Sequence, residues 1–343
     1  MPQMRSTLKE DAEFCHVCGT PVAAPSTARP RIERTRFPLA AIILIAIIAV
    51  AAILALFLIF LPLRPINISE YREATFTAGV NTLDLNLSAN VANVNIVFEN
   101  LPNKLVTLNT SMTGGAGIFY APAMLQVTFE NSVSGNLLTV VSTVNTPFGW
   151  LRPMLLNITC DLRIDTSLAS SLNIRTSLGK ILLLSKSGVT INFLNLESTT
   201  GEINAQLPEN SIVGGNVSLK AVTGGVDLTW HSVNVTNNIF VTTRTTTGGI
   251  SVDVMQDDGL QRDVAVNTEA TTGGIDFAID MKGDVGAKIQ SSITTGSISV
   301  ARQIRFTGDK SPLQSDNYPA THNFNVTLKT TTGGITLDAK YTQ

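Results

Sequence analysis

A chain of 343 residues with 44% apolar and only 15% charged composition, at a mean hydropathy of +0.23, excludes wholesale disorder. The net charge of −2 and isoelectric point near 5.9 provide no basic field for neutralising phosphates, which argues against nucleic acid as a partner. Three cysteines are too few for a disulfide scaffold.

Near the N-terminus, Cys15 and Cys18 have the two-residue gap of a zinc knuckle, and Gly19 after them permits the tight turn. The segment resembles the short zinc ribbons that open many prokaryotic, especially archaeal, membrane proteins, where two such knuckles stand ten residues apart. Here Met1 and Met4 occupy the positions expected of the other two cysteines. A true start further upstream, a ribbon without metal and a zinc site shared by two chains all stay open. His16 abuts Cys15 too closely for joint tetrahedral ligation and reads as solvated. Residues 1–22 are therefore expected to be half a zinc ribbon, and 23–36, rich in Pro, Ala and Arg, a basic tether.

Residues 37–63 form an uncharged apolar run of 27 residues, about 40 Å as a helix. That is long enough for a tilted membrane span, and too long, too far from the start and too lacking in a cleavage site for a signal peptide. Arg29, Arg31, Arg34 and Arg36 crowd its N-terminal side, while only Arg64 and Arg72 lie near its other end. The positive-inside bias then predicts a single-pass protein with a cytosolic N-terminus and an extracytoplasmic C-terminal domain.

Residues 66–170 alternate as strands, with Leu83, Leu85 and Leu87 facing one way and Val94, Ile96 and Phe98 likewise, and more apolar stretches at 125–129 and 137–144. They are expected to be a β-rich cap or opening coils. From 171 to 343 a unit of the form T-T-G-G-I recurs. Aligned on Gly179, Gly201, Gly224, Gly248, Gly273, Gly296 and Gly333, the spacings are 22, 23, 24, 25, 23 and 37 residues. The long last spacing coincides with residues 302–324, a polar, Pro-containing stretch that reads as a surface insertion.

Three columns of this alignment are wholly apolar. Seven residues before the glycine stand Leu172, Leu194, Val217, Val241, Val266, Ile289 and Val326; two after it, Ile181, Ile203, Val226, Ile250, Ile275, Ile298 and Ile335; four after it, Leu183, Ala205, Leu228, Val252, Phe277, Val300 and Leu337. The two-residue step between the latter columns is a strand period with one face inward. The expected fold is all-β, a β-solenoid of 22–25 residues per repeat behind one transmembrane helix. Each threonine before the glycine is expected to hydrogen-bond the turn and stack on its neighbours.

The repeat resembles the toastrack-type adhesin domain of bacterial and archaeal surface and membrane proteins, over roughly residues 80–340. That resemblance implies a surface or membrane setting.

No convergent catalytic set is visible. His231 and His322 are not spaced as metal ligands and lie near no nucleophile motif. Cys160 falls on an alternating strand as a small buried hydrophobe, and Trp230 continues an inward step, whereas Trp150 reads as a loop residue near the membrane or the cap. Asp227 and Asp276 stand three after their glycines, Asp253 and Asp338 five after theirs, so they share no calcium register. Asp257, Asp258 and Gly259 read as a turn. N-x-S/T sequons at Asn67, Asn86, Asn109, Asn157, Asn216, Asn234 and Asn325 all fall on the exported side, making surface glycosylation an expectation. The function read from these features is non-enzymatic: an anchored, adhesin-like or envelope-structural surface protein binding surface glycans or proteins, with homo-oligomers open. The alternative is envelope sensing through a cytosolic zinc-ribbon tail.

Overall fold

The computed structural model describes residues 39–60, 64–116, 125–146, 156–257 and 260–342. The half ribbon with Cys15 and Cys18, the tether, Trp150 and the Asp258–Gly259 step lie outside them. The chain divides into two compact units, Met1–Leu56 and Phe57–Gln343.

The apolar run forms the helix Leu39–Phe60, 22 residues without a charge. Among the described residues no helix is long and apolar enough to cross a membrane. The helix has no polar face, and Ile42, Ile47 and Ile53 are each more than half exposed.

The second unit is built almost wholly of strands. On one side of its core the strands Leu137–Asn145, Thr82–Val91, Ala169–Leu178, Thr190–Thr200, Val217–Thr223, Ile239–Thr247, Val264–Thr272, His322–Thr342 and Val285–Ile304 are parallel neighbours in that order. On the other side run Leu156–Asp165, Asn93–Glu99, Ile181–Leu184, Ile203–Leu207, Val226–His231, Ile250–Gln256 and Ile275–Lys282, again followed by His322–Thr342 and Val285–Ile304. Each coil thus supplies one strand to each side. The three apolar columns are Cα partners from coil to coil: Leu172 faces Leu194, Ile203 faces Val226, and Phe277 faces Leu337. All their members are buried except Ile298 and Val300, which are half-buried. Burying one such side chain stabilises the fold by about 1.5–3 kcal/mol, and no coil could do so alone.

The stacking order differs from the chain order at both ends. The coil of residues 82–99 lies between the coil of 169–184 and that of 137–165, so the first two coils are exchanged. At the far end His322–Thr342 is inserted between Val264–Lys282 and Val285–Ile304, leaving the Gly296 coil outermost. Residues 302–324 are therefore a return path and not a passive insertion. Arg302 to Ile304 still belong to the outer strand, Leu313 and Phe306 are buried, and Leu313–Ser315 pairs antiparallel with Lys288 and Ile289. Near the C-terminus Ile335, Leu337, Ala339 and Tyr341 are correspondingly interior.

Among the described residues between 66 and 170, two coils of the stack are accompanied by an antiparallel border. Gln126–Ser134 pairs with Leu137–Asn145, Lys104–Ala116 with Leu156–Asp165, and Arg64–Thr75 with Lys104–Ala116. Switching to antiparallel strands covers the edge that a parallel stack leaves open.

At the corners of Gly179, Gly201, Gly224, Gly248 and Gly273 the glycine N–H donates to the next coil's threonine carbonyl, as from Gly224 to Thr247 at 2.9 Å. The hydroxyl that reaches the turn is not that threonine's. It comes from three residues before the glycine: Ser198 donates to the Gly179 carbonyl at 3.0 Å, Thr245 to Gly224 at 2.9 Å and Thr330 to Gly273 at 3.0 Å. Inside the stack, the buried Thr243 and Thr268 hydroxyls satisfy each other at 2.9 Å.

Candidate binding face

Because strand side chains alternate, the residues between the buried columns stand outward in rows, one per coil, about 4.8 Å apart. On the first side, one row runs Asn86, Asn173, Asn195, Ser218, Thr242, Asn267, Thr327, Gln290. Its amides chain together, Asn195 Nδ2 to Asn173 Oδ1 at 2.9 Å and Asn173 Nδ2 to Asn86 Oδ1 at 3.5 Å.

Two residues further along is a charged row of Arg175, Glu197, Lys220, Arg244, Glu269 and Lys329. Glu197 pairs with Arg175 at 3.0 Å and Lys220 at 3.9 Å, and Glu269 with Arg244. These bases are about half exposed, so the pairs add little to stability. Four bases against two acids leave the row net positive. Beside it lies a row of exposed threonines, Thr200, Thr223, Thr247, Thr272, Thr332 and Thr295, all Cα partners in sequence. Shallow grooves of about 400–440 Å³ run over this side, one lined by Arg244, Glu269, Lys329, Thr246 and Thr271, another by Arg175, Glu197, Lys220 and Thr199.

The second side has a different character. Asp227 and Asp276 occupy one outward row with Ser251 between them, Asp253 and Asp338 another with Ala278 between them. Members of each pair are two coils apart, roughly 9.5 Å, too far to share an ion directly. Burial first, and the neighbouring Glu202 second, raise the Asp227 carboxyl above its usual range. Asp338 is bound by Arg302 at 2.6 Å. Among the described residues no group of three or more His, Cys, Asp or Glu is arranged to hold a metal. His322 Nδ1 stands 4.0 Å from Asp263, and His231 ends the strand Val226–His231 half-buried.

Trp230 is a core residue: 1% exposed, donating from Nε1 to Gln256 Oε1 at 3.1 Å and set edge-on to Phe324 at 6.4 Å. Cys160 is buried against Thr110, whose hydroxyl lies 3.9 Å from Sγ, and burial pushes its thiol up to about 12. Since the unfolded thiol ionises near 8.5, the unfolded state carries fewer protons between there and pH 12. Stability is therefore expected to fall as pH rises through that window, and less steeply in Cys160→Ala. Iodoacetamide at pH 8 should leave Cys160 intact in the folded protein and label it after denaturation; native labelling would refute the burial.

Of the sequon asparagines, Asn67, Asn86, Asn157, Asn216 and Asn325 are exposed, whereas Asn109 and Asn234 are half-buried. All but Asn216 sit within strands. Sequence patterning alone missed the charged row, although four residues before the glycines stand Arg, Glu, Lys, Arg, Glu and Lys in six of the seven repeats.

No family model and no curated protein matches the chain. Several solved structures align with it, among them the following three. A "putative cell adhesion protein" from Clostridium sporogenes ATCC 15579 is 14% identical at a TM-score of 0.39, covering 81% of this chain and 100% of that one. A "putative adhesin" from Bacteroides fragilis NCTC 9343 is 11% identical at 0.32, covering 79% and 97%. Another "putative adhesin", from Parabacteroides merdae ATCC 43184, is 9% identical at 0.20, covering 79% and 96%.

Proposed function

We propose that this chain is a non-enzymatic, single-pass membrane protein whose β unit lies outside the cell and adheres through the first side of its stack. The observation that carries this reading is the set of in-register outward rows, which repeat amide, charge and hydroxyl chemistry at one-coil intervals. Contacts that are individually weak add when many are made at once, so such a surface suits a repetitive partner such as a glycan or envelope polymer. Anchoring is supported by the 27-residue uncharged run and by an apolar helix with no polar face for water. The arginines before it orient the Cys15 and Cys18 tail to the cytosol.

Protease shaving of intact cells tests the placement: peptides from residues 70–343 should be released while the tail stays protected, and the converse pattern would invert the topology. Attachment tests the face. Cells bearing the double variant Lys220→Glu with Arg244→Glu should attach about tenfold less well, and either single variant only a few-fold less. Unchanged attachment of the double variant would end the adhesive reading of this side.

A further inference from the structure

Eight residues before each glycine lies another outward row, and in its middle stand Phe193, Asn216 and Phe240. Elsewhere the same row holds Asp84, Ser171, Ala265, Asn325 and Lys288, so the core does not require an aromatic there. Phe193 is 41% and Phe240 62% exposed. A register shift between Ile191 and Phe193 inserts Asn192 and turns the Phe193 ring to the outside, the kind of bulge that re-aims a side chain. Their backbones are two coils apart, roughly 9.5 Å, with Asn216 in the coil between.

Asn216 is held in place by its backbone and its amide oxygen. Its carbonyl accepts from the Leu194 N–H at 3.1 Å and its Oδ1 from the Phe240 N–H at 3.0 Å, leaving Nδ2 without a partner among the described residues. Next to it in the same coil, Ser218 Oγ is covered and makes no hydrogen bond.

From this arrangement we infer that Phe193, Asn216 and Phe240 form a seat for a pyranose ring. A sugar presents apolar C–H faces and a rim of hydroxyls. The two phenyl rings offer the apolar contacts, Asn216 Nδ2 offers a polar partner between them, and Thr242 another on the adjoining row. The inference rests on the first side being the binding face, and it names the ligand class and the place.

The sugar has two sources. Asn216-Val217-Ser218 is a sequon, so it can be the first residue of a glycan on Asn216 itself: Nδ2 bonds to the anomeric carbon of a diphosphate-activated sugar donor, the anomeric C–O bond breaks, the diphosphate leaves with the bonding pair and the amide gives up one proton. Otherwise it belongs to a glycan of the partner surface.

Glycopeptide mass spectrometry of the full chain from its own cells reads the first source. A sugar mass on the Asn216 peptide, absent from Asn216→Gln, assigns the seat to the attached glycan. The full chain made in a host without N-glycosylation, probed on an array of neutral pyranosides, reads the second. There Phe193→Ser and Phe240→Ser should each weaken binding about tenfold, with Phe76→Ser, an equally exposed ring elsewhere, unchanged. The inference is overturned if Asn216 is unmodified and binding is absent or indifferent to both rings. Where Asn216 carries no sugar, attachment that survives both phenylalanine variants but fails in the charge-row double variant removes the seat and keeps the adhesive face; attachment that survives both sets removes both.

Discussion

Gly248→Ala is expected to destabilise the β unit by about 3 kcal/mol or more, whereas Gly249→Ala, one residue away, should change stability by no more than about 1 kcal/mol. Two independent effects combine at Gly248. Its φ of +145° lies where an L side chain is strained, and a Cβ built there would stand 2.1 Å from the Gly224 carbonyl oxygen. That oxygen cannot retreat, because it also accepts from the Thr245 hydroxyl at 2.9 Å. At Gly249 the nearest atom to a new Cβ is the Gly274 carbonyl at 3.8 Å, an ordinary contact. The same close approach recurs from Gly201 to Gly179, from Gly273 to Gly248 and from Gly333 to Gly273, so each coil's corner rests on the corner before it. Thermal unfolding of the two variants side by side provides the check. Equal midpoints would mean that the corners are not in this contact and that the glycines serve only chain flexibility.

The same physics explains which features are legible in the sequence. A corner that excludes a Cβ, and a core that accepts only apolar side chains every second residue, are requirements imposed on each coil separately. They recur with the period of the coil, and Leu194, Ile203 and Leu228 can be assigned inward without knowing what they touch. The outward rows obey no such requirement, and their chemistry shows only when neighbours are known. Glu197 gains meaning from standing between Arg175 and Lys220. The Phe193–Asn216–Phe240 group is hidden for a related reason, since the extra residue at Asn192 disturbs the alternation that would have marked Phe193 as outward. The coil of 82–99 escapes the motif because Ala92 stands where later coils place glycine, and turns without a positive φ.

Stacking order is illegible for a deeper reason. Every coil presents nearly the same edges, so an inward pattern says that a coil stacks but not on which neighbour. The exchange at the C-terminal end makes this measurable. Leu337 is fully buried, with Phe277 in one neighbouring coil and Val300 in the other, while Val300 itself lies half-buried in the outermost coil. Leu337→Ala is therefore expected to cost about 2–5 kcal/mol and Val300→Ala about 1 kcal/mol or less, because only the first opens a cavity walled on both sides. An array stacked in chain order would place Leu337 in the terminal coil and Val300 inside, and would invert that ranking. Denaturant midpoints of the two variants decide between the arrangements. A greater loss from Val300→Ala would sink the inserted-strand topology. A greater loss from Leu337→Ala would identify the last strand of the chain as the element that joins the Gly273 and Gly296 coils.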